Sequence, residues 1–308
     1  MDCINPMLAV KVGDKYKFVG AVNGSSSASR KYLFDSTGHY IILPCGQCYA
    51  CRIAKSREWA ARCVMESKMH KDNCFITLTY SDDNLPPDSS LQKQDFTKFM
   101  KRLRKNTGDK IRYYACGEYG SLFQRPHYHA CLFGYRPRDL VIHSVRSGVT
   151  LYRSLELEKA WQYRGFVTVG DVTYESAAYV ARYVLKKITG VNADSYYNGR
   201  QPEYTVMSRR PGIAGDFFER YSEDIYNKDF IVLRDKMKLK PPRYFDKIYD
   251  IYYGEGSFDD NVKPNRLARG VKNFNQNLDE YSLRRIVNRA RVTELKGRRL
   301  KRGLEEMI

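Results

Sequence analysis

Between residues 50 and 190 the hydrophobic and polar positions follow two alternating periods. Phe96, Phe99, Met100 and Leu103 fall at i, i+3, i+4 and i+7, the spacing of one helix face, and Gly108 is placed to end that helix. Arg52 to His70 consists mostly of good helix formers and predicts an earlier helix. Between the two, Cys74 to Tyr80 (CFITLTY) is β-branched and aromatic and leads into a polar turn with Pro86 and Pro87, which predicts a strand. Ile111 to Glu118 and His127 to Phe133 are further strand-like runs. The eight residues joining them include Gly120 and Pro126, so an antiparallel hairpin is expected. A short helix around Leu157 to Trp161 ends near Gly165, Phe166 to Val172 reads as a strand, and Ser176 to Ile188, free of Gly and Pro, reads as a helix. Strands interrupted by helices around a hairpin predict an α+β fold, a central antiparallel β-sheet flanked by helices, over a doubly wound parallel one.

Outside that stretch the pattern weakens. Residues 1–40 carry little periodicity and a small-polar run, Gly24 to Ser29, that reads as a loop. Residues 191–262 are Tyr-rich and mixed, and no element is assigned there. From Arg284 to Arg302 nine Lys or Arg face one acidic residue, Glu294, while Leu283, Ile286, Val287 and Ala290 keep helical spacing. That is a basic helix, either contacting DNA or merely solvated. The expected organisation is an N-terminal extension (1–40), a central domain (41–190), a mixed region (191–262) and a basic helical C-terminal segment (263–308).

Composition narrows the partners. The chain has 308 residues, of which 43% are hydrophobic, enough for a core, so wholesale disorder is excluded. Lys and Arg number 53 against 35 acidic residues, a formal charge of +18. Such a surplus points to a polyanion, nucleic acid ahead of an anionic membrane surface. There is no apolar run of about 18 residues and no basic leader followed by an apolar stretch, so a soluble, unsecreted, cytoplasmic protein is expected. The 25 Tyr could stack unpaired bases or simply pack in a sheet with wet hydroxyls. Eight Cys are too sparse for a disulfide-stapled secreted domain. Cys45, Cys48 and Cys51 form C-x-x-C-x-x-C, with Cys63 and Cys74 downstream. A structural zinc site needs four ligands, and with no fourth assigned, zinc and plain reduced thiols are both open readings.

The chemistry concentrates in two places. On a strand, residues two apart share a face, so His127 and His129 present both imidazoles side by side. Pairing across the expected hairpin brings Glu118 beside His127. Two imidazoles, a carboxylate and open positions can hold Mg or Mn and polarise a phosphodiester. On the following helix Tyr179 and Tyr183 are four apart and share a face, with Lys186 and Lys187 a turn further on. A phenol has a pKa near about 10, so attack on phosphorus at neutral pH needs a nearby cation. The plainer alternatives are an ordinary sheet His pair and a helix-sheet Tyr contact. Two rival functions are a non-catalytic single-strand binding module and a tyrosine recombinase. The recombinase would use His143, Arg146 and Tyr179, but the strand-rich pattern disfavours it.

His127-Tyr128-His129 with Glu118 upstream, the strand FITLTY before it and Tyr179-x-x-x-Tyr183-x-x-Lys186 after it resemble, in order and spacing, the motifs of HUH-superfamily rolling-circle endonucleases. The runs PCGQCYACR (Pro44 to Arg52), GEYG (Gly117 to Gly120), RPHYHACLFG (Arg125 to Gly134) and YVARYVLKK (Tyr179 to Lys187) are similar to the replication-associated proteins of gokushovirus-type microviruses, small single-stranded DNA phages. The resemblance covers roughly residues 41 to 190. It implies a metal, Mg or Mn, held by Glu118, His127 and His129. It also implies that Tyr179 and Tyr183, with Lys186 favoured over Lys187 as the motif lysine, cut one origin strand and stay joined to its 5′ phosphate. The 3′ hydroxyl then primes synthesis, and a second transfer closes a single-stranded circle. The implied partners are viral origin DNA, as double-stranded replicative form and single-stranded genome, and a host helicase and polymerase in the bacterial cytoplasm. No Gly-Lys dipeptide occurs, hence no Walker A loop to drive strand separation. Tyr128, where many relatives carry a bulky apolar residue, is expected to face away from the metal.

Overall fold

A computed structural model describes residues 3, 6–13, 15–21, 40–120, 123–146, 148–182, 187–188, 193–233 and 238–276, with scattered positions between 285 and 295. The chain divides into a smaller unit, 1–55 with 267–302, and a larger one, principally 56–266. In the smaller unit β1 (Met7–Val12), β2 (Lys15–Ala21) and β3 (Tyr40–Leu43) form an antiparallel sheet in the order β2-β1-β3. The weak patterning of residues 1–40 therefore hides two strands. Gly13, at φ +60°, turns the chain between the paired Val12 and Lys15, and a Gly-Asp step between two short alternating runs is the hairpin signal that was there to be read.

The larger unit is built on a seven-stranded antiparallel sheet. Its strands are β4 (Asn73–Thr79), β5 (Arg112–Tyr119), β6 (Pro126–Phe133), β7 (Val141–Arg146), β8 (Val149–Arg153), β9 (Val167–Gly170) and β10 (Tyr204–Met207), in the order β10-β5-β6-β4-β9-β8-β7. Both faces of its centre are buried. One face carries Cys74, Ile76 and Leu78 of β4 and Tyr128, Ala130 and Leu132 of β6. The other carries Phe75 of β4, Tyr114 and Cys116 of β5, and Cys131 and Phe133 of β6. The α+β antiparallel expectation is the architecture found.

Four helices cover this sheet: α1 (Tyr49–Ser67), α2 (Lys93–Thr107), α3 (Leu155–Ala160) and α4 (Tyr174–Arg182). Helix α2 buries Phe96, Phe99, Met100 and Leu103 on the first face, each such side chain contributing roughly 1.5–3 kcal/mol. It stops at Gly108, at φ +75°, whose N–H donates to Arg104 O. Trp161, just past α3, completes that layer and donates Nε1–H to Thr79 O at 2.8 Å. The second face is packed by Ala60 and Cys63 of α1 and by Ala177, Tyr179, Val180 and Ala181 of α4.

Helix α4 starts earlier than expected and does not reach Ile188. Thr173 and Ser176 cap its entry reciprocally, the Thr173 N–H donating to Ser176 Oγ at 2.8 Å and the Ser176 N–H to Thr173 Oγ1 at 3.2 Å. Ile188 is outside any helix, its N–H donating to the Tyr197 hydroxyl.

Region 191–262, to which the sequence pattern assigned no element, supplies the β10 edge strand and much helix. It contains α5 (Ala193–Tyr197), α6 (Gly215–Lys228), the two-residue strands β11 (Ile231–Val232) and β12 (Lys238–Leu239), α7 (Arg243–Tyr253) and α8 (Ser257–Asn261). Phe217, Phe218 and Ile225 of α6 pack with Phe245 and Tyr249 of α7 and with Ala61 and Met65 of α1. Their stripe is written largely in aromatics, which is why it did not stand out among so many tyrosines. Helix α9 (Lys263–Gln276) opens the helical C-terminal region, while the basic helix expected over 284–302 lies largely outside the described residues. Among the described residues no helix is long and apolar enough to cross a membrane.

Candidate active site

Strand register assembles the site. In the β5-β6 hairpin Glu118 pairs with His127 and Cys116 with His129. On the other side of β6, His129 pairs with Thr77 and His127 with Thr79 of β4. The two-residue repeat sends both histidines to the face covered by α1 and α4, and Tyr128 to the opposite core. There the Tyr128 hydroxyl lies 3.0 Å from that of Tyr80, accepts from the Gln92 N–H at 2.9 Å and donates to Gln92 O. Burial pushes its pKa up to about 12, out of the range of neutral-pH chemistry. Tyr128 thus faces away, as the sequence predicts.

His129 is completely buried and Glu118 is 2% exposed, so each needs a partner to offset its desolvation. They find one another: His129 Nε2 lies 2.9 Å from Glu118 Oε1. The second ring nitrogen, Nδ1, lies 2.9 Å from Thr77 Oγ1, so the imidazole is gripped at both ends and its orientation is set by the neighbouring strand. His127 is half-buried, with its ring centroid 6.4 Å from that of His129. A Cβ on Gly120 would stand 3.3 Å from His127 Nε2, so glycine at the end of β5 keeps space open beside that ring. Tyr179, 5% exposed, sets its ring edge-on to His129, with centroids 5.1 Å apart and planes at 89°, and also packs on Phe75. The packing account and the chemical account of Tyr179 therefore meet in one residue.

Glu118, His127, His129 and Tyr179 all line a single cleft of about 720 Å³. Tyr183 and Lys186 lie outside the described residues; Lys187 is described and exposed. Sequence reasoning missed several other residues of the cleft. Arg125, inside the RPHYH run, pairs with the Asp82 carboxylate and donates to Tyr80 O at 2.8 Å. Phe123 and Phe166, 81% and 65% exposed, stand at the cleft as aromatic surface without cover. Exposed aromatics on loops and strand ends leave no periodic trace, whereas Arg125 could have been suspected from its place two residues before His127. The His143 and Arg146 alternative fails on geometry: β7 is the far edge strand of the sheet, and His143 is exposed there and absent from the cleft lining.

Two imidazoles and a carboxylate that converge on one cleft, one imidazole braced by a hydroxyl on its far nitrogen, form a donor set suited to a divalent ion with coordination positions left over.

These features define an α+β protein of HUH-endonuclease type, with a His-x-His strand inside an antiparallel sheet and a tyrosine helix against it. The chain belongs to the replication-associated protein ORF2 family, whose profile matches residues 73–188. It is 34% identical over 287 residues to the replication-associated protein ORF2 of Spiroplasma virus 4, covering 86% of each chain. It is 34% identical over 259 residues to the replication-associated protein VP4 of Bdellovibrio phage phiMH2K, covering 81% of this chain and 77% of that one. To the replication-associated protein ORF4 of Chlamydia phage 1 it is 31% identical over 253 residues, 77% of this chain and 62% of the relative. No solved structure matches it.

Proposed function

We propose that this protein initiates rolling-circle replication of a small single-stranded DNA phage genome by nicking one strand of the double-stranded replicative form at the origin. The observation that carries the reading is the contact of Tyr179 with His129, whose imidazole is held between Glu118 and Thr77 in the same cleft. The phenolic oxygen of Tyr179 or Tyr183 attacks the scissile phosphorus. A bond forms from that oxygen to phosphorus and the bond from phosphorus to the 3′ oxygen breaks. The phenol gives up its proton and the departing 3′ oxygen takes one up, so charge and protons balance. Mg or Mn held by Glu118, His127 and His129 would supply positive charge to polarise the phosphate. Thr77 keeps the His129 ring in the orientation that presents Nε2 to the cleft. Phe123 and Phe166 offer faces on which unpaired bases stack. The surplus of 18 positive charges draws the DNA backbone in, with an affinity that falls as salt rises.

The tyrosyl phosphodiester conserves the bond that was broken, so the step runs backwards as readily as forwards. A second tyrosine can then take over the strand and release a closed circle. Strand separation and synthesis fall to a host helicase and polymerase in the bacterial cytoplasm. Incubating the protein with a supercoiled origin plasmid and Mg or Mn tests the proposal. The expected product is a nicked circle carrying covalent protein, abolished by EDTA. Binding without any covalent product would leave a single-strand binding module, and cleavage indifferent to EDTA would point to metal-free chemistry; either result overturns it.

A further inference from the structure

The C-x-x-C-x-x-C run acquires in the fold the ligand that the sequence left unassigned. Cys3, buried beside β1, brings its sulfur 3.5 Å from Cys45 Sγ and 3.8 Å from Cys48 Sγ, and the four Sγ atoms of Cys3, Cys45, Cys48 and Cys51 all lie within 4.8 Å of one another. Sulfurs at about 2.3 Å from a central zinc stand about 3.8 Å apart along a tetrahedron's edge, so these separations are those of a single-ion site. A disulfide would need about 2.05 Å, and none of the four cysteines is in one. An iron-sulfur cluster would hold four cysteine sulfurs further apart around its own irons and sulfides.

The backbone is also arranged for thiolates. The Cys45 N–H donates to Cys3 Sγ and the Cys48 N–H to Cys45 Sγ, each at 3.3 Å, which favours charge on sulfur. Gly46, at φ +73°, makes the left-handed turn that folds the run back on itself. Cys63 and Cys74 are buried elsewhere, in the packing on either side of the sheet.

The geometry points to a structural zinc centre closed by Cys3, Cys45, Cys48 and Cys51, separate from the His129 cleft. Four cysteine ligands leave no position for substrate, which makes the centre structural. Binding releases one proton from each thiol not already ionised. The ion would tie together the two ends of the segment that contains β1, β2 and β3, a three-stranded sheet too small to be stable by its own core.

The test is elemental analysis of the full-length protein, purified without a histidine tag and dialysed against a weak chelator. The expected content is about one zinc per chain, released to a chromogenic dye by a thiol-blocking mercurial. Cys3→Ser and Cys48→Ser should each reduce it to a trace, whereas Cys74→Ala and His127→Ala should retain it. A zinc-free wild-type protein, iron in its place, a disulfide between any two of the four, or zinc retained in both serine variants would overturn the assignment. Because His127→Ala removes the proposed nicking metal and spares this one, the two sites can fail independently.

Discussion

Thr77→Val replaces a hydroxyl with a methyl while keeping the β-branched shape. In the wild-type protein Thr77 Oγ1 lies 2.9 Å from His129 Nδ1, with Thr77 1% exposed and His129 not at all, so no water can take over the contact without disturbing the packing. Leaving a buried ring nitrogen without that partner costs about 1–3 kcal/mol of folding stability. Loss of an orienting partner behind a metal-binding imidazole typically weakens the metal by about 10–100-fold, or about 1.4–2.7 kcal/mol at about 1.4 per decade. A Mn titration of nicking on a single-stranded origin oligonucleotide reads this directly as a rise of about 10–100-fold in the half-maximal metal concentration. Thr77→Ser, which keeps the hydroxyl, should restore most of it. If Thr77→Val loses stability but its metal requirement is unchanged, His129 is not acting as a ligand and the reasoning fails.

Glu66 is fully buried on α1, where it pairs with Arg112 and His70 and accepts the Ala214 N–H at 2.6 Å. Burial alone would raise its pKa, but these hydrogen bonds outweigh it and hold the carboxyl below its usual value of 4.5. Its contribution to stability is therefore complete above that value and is lost as pH falls through the lowered folded one. Glu66→Ala should cost about 3–5 kcal/mol at neutral pH in urea denaturation and flatten the acid limb of the stability profile. Phe123→Ala and Phe166→Ala should each weaken single-strand binding by about 1–3 kcal/mol in fluorescence anisotropy without altering the fold, and unchanged affinity in both would remove the stacking role. His127→Ala should suppress Mn-dependent cleavage while filter binding at low salt stays near wild type; cleavage at the wild-type metal requirement would exclude it as a ligand.

Much of the sheet was legible because its period is local. The His127 and His129 face follows from the two-residue repeat, and the eight-residue connection was enough to place Glu118 opposite His127, the register found. Thr77 was not legible as a site residue, because its role depends on β4 pairing with β6 across an intervening strand and helix. Cys3 escaped for the same reason: it meets its partners 42 and 45 residues along the chain, through contacts with no period. Strand β10 joins β5 from a region where tyrosines blurred the distinction between buried and wet positions. The α4 boundary went wrong because good helix formers continue to Lys187, whereas Ile188 is drawn instead to the Tyr197 hydroxyl.

The central claim is that a tyrosine beside the His129 cleft becomes joined to DNA. The most direct measurement is peptide mapping, by mass spectrometry, of protein incubated with a 5′-labelled origin strand and Mn, then digested. The account predicts a nucleotide attached through its 5′ phosphate to Tyr179 or Tyr183 only when metal is present, and no adduct from the double Tyr179→Phe, Tyr183→Phe protein. An adduct on any other residue, or an undiminished adduct in the double variant, would contradict it.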